Sequence, residues 1–373
     1  MKAKRYLIAV MLAASQLILI AQSQKVSSQG VVIGHRISLF SEVLNEQRDL
    51  LISLPNNYDR NIHQYPVILV LDGEYLFELT RSIVNIKSSR NEMPESIVIG
   101  IPNTADGRYD MAMELRFPDG GGFFGDADGA KINDYLSFLA QEVVPFIENR
   151  YRVNHHQTII GMSPTFGPVL QSFWDEPDLF NAHIVLAAEV SLTTSSGETV
   201  KEKLLKAIQD TDRQQGAIYI GKAGDDLKRR PEAERLAYAE LNEKLENTAN
   251  PNINYRIEIL EEENHYGMAI AGIEHGLENI YPPDMWTVPY RAFWNSEDPA
   301  SELKRWYDQL SDAYGFEIIP LEDAFYAGQT LKGTARRLNR QGRKPALLKL
   351  LELAVTYYPN SPELKAQYEN AKK

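Results

Sequence analysis

Ser163 occupies a position typical of a serine nucleophile. The apolar run Thr158–Ile160 leads into Gly161-Met162-Ser163, and a helical pattern begins immediately afterwards. A serine on a sharp turn between a strand and a helix is exposed for attack, and its strained backbone needs small neighbours. Gly161 meets that need on one side, so the pattern predicts a nucleophilic serine at position 163.

The two residues after Ser163 depart from the usual Gly-x-Ser-x-Gly turn. Thr165 occupies the second glycine position and adds a β-branched side chain where space is short. Pro164 lacks the backbone N–H that this position normally donates to an oxyanion. Because the loss of one such donor typically costs about 10²–10³ in rate, we expect an elbow that forms but is weakened in its chemistry.

A nucleophilic serine needs a histidine base, and His265 is the best candidate. It lies in Asn264-His265-Tyr266-Gly267, after a late strand pattern and before a helix, which fits the order nucleophile, acid, base. Five other histidines come too early, precede the wrong end of the strand before Ser163, or lie within a helix: His35, His63, His155, His156 and His275.

Asp225 and Asp226 are the candidates for the carboxylate that orients the base. Both follow the strand pattern Ala217–Ile220, so either could reach the histidine from a strand end. Acidic residues also favour the first turn of a helix, so the pair has a purely structural alternative. The sequence leaves the choice between the two aspartates open.

The second oxyanion donor is expected in a loop after an early strand. Leu71-Asp72-Gly73-Glu74 follows the apolar run Val67–Leu71, and the backbone N–H of Glu74 fits this position. Taken alone, Asp-Gly after a strand indicates only a turn.

These residues need a sheet that brings strand ends together. Short β-rich runs alternate with helical patterns, which predicts an α/β fold with helices on both faces of the sheet. The predicted strands are Val32–Phe40, Leu50–Pro55, Val67–Leu71, Ile97–Ile101, Thr158–Ile160, Ala182–Ala187, Ala217–Ile220 and Ile253–Leu260. The predicted helices between them include Ile132–Asn149, Val200–Asp210, Glu232–Leu245 and Met268–Ile280.

The amino terminus has the layout of a secretory signal. Basic residues precede an apolar run, Tyr6–Ala21, and small residues suit cleavage before Gln24. The run is short for a membrane span, although an uncleaved anchor is the alternative. We therefore expect residues 1–23 to be removed and the mature protein to be exported, to a periplasmic or extracellular location.

Composition excludes several classes of function. The 373 residues include 39 Lys and Arg against 51 Asp and Glu, a net charge of −12, so a nucleic acid partner is not expected. Cysteine is absent, which excludes disulfides, thiolate metal sites and a cysteine nucleophile. No histidine pair has the spacing of a zinc site, and the chemistry predicted for Ser163 needs neither a metal nor an organic cofactor.

The carboxyl-terminal quarter differs from the rest. Residues 282–299 hold four prolines and two tryptophans, which predicts a packed connector between the main domain, 24–281, and residues 300–373. The latter are helical in pattern and resemble one tetratricopeptide-like helix pair, although a plain helical cap is an equal alternative. One repeat cannot bury its own face, so we expect this tail to dock on the main domain or to meet a protein partner.

Six short segments resemble, in order and spacing, marks of the Putative esterase family, which includes enterochelin (siderophore) esterases and S-formylglutathione hydrolases, also called esterase D-like proteins. They are Val70–Glu74, Gly100–Asn103, Arg108–Asp110, Tyr135–Arg152, Gly161–Ser163 and Asn264–Gly267. The resemblance covers residues 31–281, and the tail is similar to that of some exported members. It implies an α/β-hydrolase fold with Ser163 as nucleophile and His265 as base.

Two functions of different classes therefore stand as hypotheses. The first is an exported serine hydrolase that cleaves ester bonds of small molecules. The second is a protein that keeps the hydrolase fold without competent catalysis and serves as a binding or interaction module. Pro164 motivates the second hypothesis, since it removes an oxyanion donor.

Overall fold

An eight-stranded sheet forms the centre of the computed structural model, which describes residues 29–104, 111–118, 120–124, 131–229, 231–324 and 327–373. Its strand order is β1-β2-β4-β3-β6-β7-β9-β10. β2 is antiparallel to both of its neighbours and the other pairings are parallel. The ten strands, of which β5 and β8 form a separate pair, are β1 His35–Ser41, β2 Glu46–Ser53, β3 Tyr65–Leu71, β4 Ile97–Ile101, β5 Leu115–Arg116, β6 Val153–Met162, β7 Ala182–Leu186, β8 Thr193–Thr194, β9 Gly216–Ala223 and β10 Ile253–Leu260.

Helices connect the strands and cover both faces of the sheet. They are α1 Gly73–Ser89, α2 Ile132–Phe138, α3 Val144–Arg150, α4 Phe166–Asp175, α5 Val200–Gln209, α6 Pro231–Leu245, α7 Met268–Ile280, α8 Pro283–Trp286, α9 Tyr290–Asn295, α10 Pro299–Tyr314, α11 Leu331–Arg340, α12 Lys344–Tyr357 and α13 Pro362–Lys372. The predicted bounds of β10 and α7 are confirmed to the residue. The single helix predicted over Ile132–Asn149 is instead α2 and α3 joined by a π-helical turn, Leu139–Val143.

β3 shows why this sheet is central to the fold. All seven of its residues, Tyr65–Leu71, are buried, as expected for a parallel strand covered on both faces. One apolar core, with Leu69 and Ile159, lies on one face of the sheet. The other, with Ile68 and Ile160, lies on the opposite face and extends into the tail helices. The sheet, its mostly parallel pairing and its helices match the predicted architecture.

The tail packs on the main domain through a buried carboxylate. Glu322 is fully buried and accepts hydrogen bonds from Ser361 Oγ at 2.6 Å and from Arg60 at 3.1 Å. Lys332 Nζ lies 2.9 Å from the same carboxylate. Because Arg60 comes from the segment between β2 and β3, this cluster ties the last helices to the sheet. Removing one partner of a buried ion pair of this kind strongly destabilises the folded protein.

Residues 34–373 form one compact unit, and residues 29–33, which carry no helix or strand, belong to a second one. Within the described part of the chain, no helix combines the length and apolar character needed to cross a bilayer. The targeting segment predicted over residues 1–23 lies outside the described residues, as does Arg108–Asp110.

Candidate active site

Ser163 lies on a sharp turn between β6 and α4. Its φ of 57° is one of five positive φ values among the described non-glycine residues. β6 ends at Met162, a 3₁₀ turn covers Ser163–Thr165, and α4 begins directly afterwards. A Cβ on Gly161 would lie 2.4 Å from the carbonyl oxygen of Thr165, so only glycine fits there. The local geometry is that of a nucleophile elbow.

Thr165 fills the second glycine position without disrupting the elbow. Its side chain is fully buried, and its Oγ accepts a hydrogen bond from Met162 N at 2.9 Å. The same hydroxyl donates to Asp72 Oδ2 at 2.7 Å, with the carbonyl of Met162 as a second acceptor at 2.9 Å. Thr165, whose β-branched side chain is predicted from the sequence to crowd the turn, therefore supplies hydrogen bonds that stabilise it. Pro164 lies in the first turn of the 3₁₀ segment, where a missing N–H does not disturb the helix.

His265 is paired with Asp226. Both carboxylate oxygens of Asp226 lie 2.9 Å from Nδ1 of His265. A carboxylate on Nδ1 keeps the proton on that nitrogen and leaves Nε2 to accept one. Asp225 does not contact the imidazole; its carboxylate pairs with Lys228 at 2.7 Å and its N–H donates to the carbonyl of Glu263. The structure thus brings one of the two candidate aspartates to the histidine and turns the other to the surface.

A buried ion pair lies behind Asp226. Lys222, 1% exposed at the end of β9, contacts Glu189 at 2.5 Å, and its Nζ lies 4.0 Å from Asp226 Oδ2. No sequence pattern links Lys222 to Glu189, since 33 residues separate them. The only available signal was a lysine within a strand that is otherwise apolar, next to the candidate acids.

The turn after β3 presents the amino terminus of α1. Asp72 precedes that helix in a left-handed conformation, with φ 53°, and its carbonyl accepts hydrogen bonds from Tyr75 and Leu76. The N–H groups of Gly73 and Glu74 precede these two and have no acceptor within the helix. A helix amino terminus carries a partial positive charge, which suits an anion. The predicted donor Glu74 N therefore belongs to a pair of adjacent N–H groups.

Asn103 braces this turn from the neighbouring strand. Its Nδ2 donates to Asp72 Oδ1 at 2.6 Å and to Glu74 Oε1 at 2.9 Å, and its backbone N–H donates to Glu74 Oε2 at 3.0 Å. Asn103 lies in one of the segments that resemble the family, but the sequence alone predicts no contact for its side chain. Its position after β4, which pairs with β3, explains the proximity.

Parallel strands bring these turns to one edge of the sheet. Ser163 follows β6 and Asp226 follows β9, while His265 lies beyond β10, so all three lie beyond carboxyl-terminal strand ends. The turn after β3 reaches across to the histidine loop, because Tyr75 OH donates to the carbonyl of Tyr266 at 3.1 Å and their rings meet edge to face at 5.9 Å. β6, β7 and β9 lie between those two strands, so the contact spans the edge that carries the serine.

Aromatic rings pack beside the helix that follows Ser163. Phe124 lies 6.1 Å from Phe166, the first residue of α4, and 4.6 Å from Phe123. Phe123 and Phe124 come from the glycine-rich segment 119–125, of which residues 120–124 are described. Among the described residues, no cluster of three or more His, Asp or Glu side chains has a geometry suited to a metal ion.

Comparison with known proteins identifies what this arrangement is similar to. The model of the family described as Putative esterase matches residues 41–313. A curated relative, the uncharacterized protein YjcH of Bacillus subtilis (strain 168), is 32% identical over 146 residues, which make up 38% of this chain. The match covers 55% of that relative, so the chain spans about half of its length.

Solved structures share the fold at low identity. An IroE-like serine hydrolase from Shewanella oneidensis superposes with a TM-score of 0.68 and 21% identity, over 86% of this chain and 98% of its own. An uncharacterised protein from Capnocytophaga ochracea superposes with a TM-score of 0.59 and 18% identity, over 91% of this chain and 90% of its own. The siderophore hydrolase EstB from Aspergillus nidulans superposes with a TM-score of 0.54 and 17% identity, over 71% of this chain and 100% of its own. Residues 282–373 are about a quarter of the chain, so a 91% match includes part of the tail.

Proposed function

The chain belongs to the Putative esterase family, a family of carboxylic-ester hydrolases with the α/β-hydrolase fold, and from this membership we propose that it is an exported serine hydrolase that cleaves ester bonds of small molecules. The observation that carries the proposal is the left-handed Ser163 on a strand-to-helix turn, at the same sheet edge as the Asp226–His265 pair. These are the parts that acyl transfer to a serine requires.

The proposed reaction proceeds in two steps. Ser163 Oγ attacks the acyl carbon while its proton passes to Nε2 of His265, and the imidazolium then gives that proton to the departing alcohol oxygen. Water attacks the acyl-enzyme with His265 again as base, which releases the carboxylic acid and restores the serine. Asp226 holds the Nδ1–H and stabilises the imidazolium.

The oxyanion is assigned mainly to the amino terminus of α1. Pro164 offers no N–H, so the donors available from described residues are the N–H groups of Gly73 and Glu74. Their helix is 17 residues long, and its dipole adds partial positive charge at that end. Asp72, which directly precedes the helix, is held by Thr165 and Asn103, so the donors are fixed relative to Ser163 before substrate arrives.

The test of the reaction is hydrolysis of short- and medium-chain p-nitrophenyl esters by residues 24–373, with Ser163→Ala alongside. We expect turnover in the parent protein and its loss in Ser163→Ala, with labelling of the parent by a fluorophosphonate probe, which needs only an activated serine. Equal activity in both proteins would remove Ser163 from the mechanism. Including a siderophore ester in the panel tests the narrower substrate class suggested by the similarity to the siderophore hydrolase EstB.

Export is tested by the mass of the protein recovered from cells that make the full chain. Cleavage before Gln24 predicts a periplasmic or secreted form that begins at that residue. A product that keeps Met1 and stays with the cell interior would contradict it.

Pro164 favours a second candidate function. A hydrolase fold with one oxyanion donor removed is suited to binding an ester or another ligand without turning it over. If Ser163→Ala and the parent are both folded, both inactive and both unlabelled by the probe, this binding function replaces the enzymatic one.

A further inference from the structure

A cleft of about 870 Å³ opens at the end of the sheet opposite Ser163. Its floor is formed by the first residues of parallel strands, among them Asn154 of β6 and Gly216 of β9. One wall comes from the tail, where Tyr314 ends α10 and Phe316 follows it. Ligand pockets commonly have volumes of ~300–1,000 Å³, so the cleft is large enough for a ligand of several rings.

Carboxamides dominate its polar lining. They are Gln64, Asn154, Asn181, Gln215, Asn252 and Asn254. A carboxamide offers two N–H donors and a carbonyl acceptor on one rigid plane, so it can pair with a hydroxyl group in either direction. A surface rich in these groups is complementary to a ligand rich in hydroxyls.

Two buried polar atoms in this lining are without a partner among the described residues. Asn154 is 7% exposed, and while its Oδ1 accepts from the N–H of His156 at 2.9 Å, its Nδ2 has no acceptor. Nδ1 of His156 is also unpartnered. Leaving a buried donor unpaired costs free energy, typically ~1–3 kcal/mol. Both residues line the cleft, and each atom has almost no exposed surface, so a hydroxyl group would satisfy them only with a small movement of these side chains toward the ligand.

Aromatic faces stand beside the amides. The ring of Phe316 lies 5.3 Å from that of His156 and 6.0 Å from that of Tyr314. Burial lowers the pKa of His156 to about 4, so this imidazole is neutral at ordinary pH. Rings of this kind pack against apolar C–H surfaces, while the carboxamides serve polar edges.

The charged groups in the cleft are already engaged. The Arg152 guanidinium donates to the carbonyls of Asn61 and Tyr58 and lies 4.0 Å over the ring of Tyr58. Glu317 pairs with His63 at 2.5 Å. Both groups thus already have hydrogen-bond partners within the protein, and a charged ligand would gain little from them while it lost hydration.

We propose that this cleft binds a neutral oligosaccharide, of about two to four sugar units by its volume, with carboxamides on the hydroxyls and the Tyr314–Phe316 wall against a sugar face. A peptide is the less suitable occupant, because strands reach this surface end-on and offer no unpaired edge for an added strand. Phe316 lies beyond the last residue of the family match, 313, so the wall is not part of the region that defines the family.

In the test, residues 24–373 are titrated with cellotetraose, maltotetraose, xylotetraose and chitotetraose, and binding is measured by calorimetry. Trigalacturonic acid serves as the charged control, and a neutral Gly-Ser peptide as the peptide control. We expect saturable binding of at least one neutral sugar with a Kd on the order of 0.1–1 mM. We expect no binding of either control.

Two variants locate the bound sugar. Asn154→Asp keeps the acceptor for His156 N and removes the unpartnered donor, while Phe316→Ala removes the ring; each is expected to weaken binding roughly tenfold. Asn85→Asp, on the exposed face of α1 and outside the cleft, carries the same charge change and should bind as the parent does. All three should retain esterase activity, since Ser163 lies at the other end of the sheet.

Three results would overturn the proposal. They are no binding of any sugar up to about 10 mM, binding that neither Asn154→Asp nor Phe316→Ala weakens, and binding of the peptide in preference to every sugar. Because the readout is binding, failure here leaves the ester hydrolase proposal intact, and an inactive enzyme that still binds sugar leaves this one intact.

Discussion

The Thr165 hydroxyl lies 2.7 Å from Oδ2 of Asp72, which joins the turn after β6 to the turn after β3. Both residues are buried, at 0% and 1% exposure, so water cannot replace the contact easily. One turn carries Ser163 and the other precedes the N–H groups of Gly73 and Glu74. This hydrogen bond therefore helps to fix the position of the proposed nucleophile relative to the proposed oxyanion donors, in addition to the pairing of β3 with β6.

Replacing Thr165 tests this link. Thr165→Val keeps the shape but leaves Asp72 and the N–H of Met162 short of a partner, so we expect a loss of about 1–3 kcal/mol in the free energy of unfolding, with a lower kcat. Thr165→Ser keeps the hydroxyl and loses one methyl group, worth about 1 kcal/mol. Urea unfolding and ester hydrolysis measure both; a valine variant as stable and active as the serine variant would contradict the link.

Restoring an N–H after Ser163 should raise activity. Pro164→Ala adds a donor at the position that usually serves the oxyanion, so we expect kcat to rise by about tenfold or more, with a stability change within ~1 kcal/mol. Pro145→Ala, in the first turn of α3, is the matched control because it removes a helix-start proline away from the site. If the two variants have the same kcat as the parent, the helix α1 donors already satisfy the oxyanion.

The two neighbouring aspartates should differ sharply. Asp226→Asn removes the charge that holds the Nδ1–H of His265, so kcat is expected to fall by roughly 10²–10⁴-fold. Asp225→Asn breaks only an exposed pair with Lys228 and should leave kcat unchanged. Steady-state hydrolysis of one ester measures both, and equal losses would show that Asp226 has no special role.

Glu95 gives the protein a pH dependence near neutrality. Burial raises the pKa of this carboxyl to about 7, above its usual value of 4.5, although a hydrogen bond from Asn57 opposes the shift. The folded state therefore holds the proton more tightly than the unfolded state. The contribution of this proton to the stability of the folded state is complete below pH 4.5 and is lost as the pH rises through 7.

Glu95→Gln keeps the acceptor for Asn57 and is neutral at every pH. Relative to the parent it should be more stable by about 3 kcal/mol above pH 7, and the difference should shrink toward zero as the pH falls to 4.5. Urea unfolding at several pH values measures this. Glu148→Gln, at an exposed position on α3, should show no such trend.

Local patterns predicted the frame of the molecule well. β10 and α7 were delimited to the residue, because a polar turn bounds each apolar run, and the order of Ser163, an aspartate and His265 placed all three beyond strand ends. The fold and the esterase family are confirmed. Side-chain direction was not predictable: Asp225 and Asp226 are adjacent in a 3₁₀ turn, and which of them meets the imidazole depends on the turn's geometry.

Contacts between distant residues lay beyond the sequence patterns. Thr165 was expected to crowd the elbow, since its partner Asp72 is 93 residues away and the hydrogen bond exists only once β3 and β6 pair. Lys222 and Glu189 are each unremarkable alone, and only the folded sheet brings them together behind Asp226. The cleft likewise arises where strand ends meet the tail: the helical pattern predicted that the tail would dock, but no local pattern gives the position at which it does.

The packing of the tail helices on the main domain has a consequence for synthesis of the protein. Arg60 meets Glu322 and Glu363, which leave the ribosome some 260 and 300 residues later. Until then the apolar face that receives Leu338 and Leu350 stays open to water, and such surface binds other chains or chaperones. The loops to be closed are long, but the entropy of closure grows only slowly with length. Emergence of the tail helices, rather than completion of the sheet, is thus the moment at which this interface can first form.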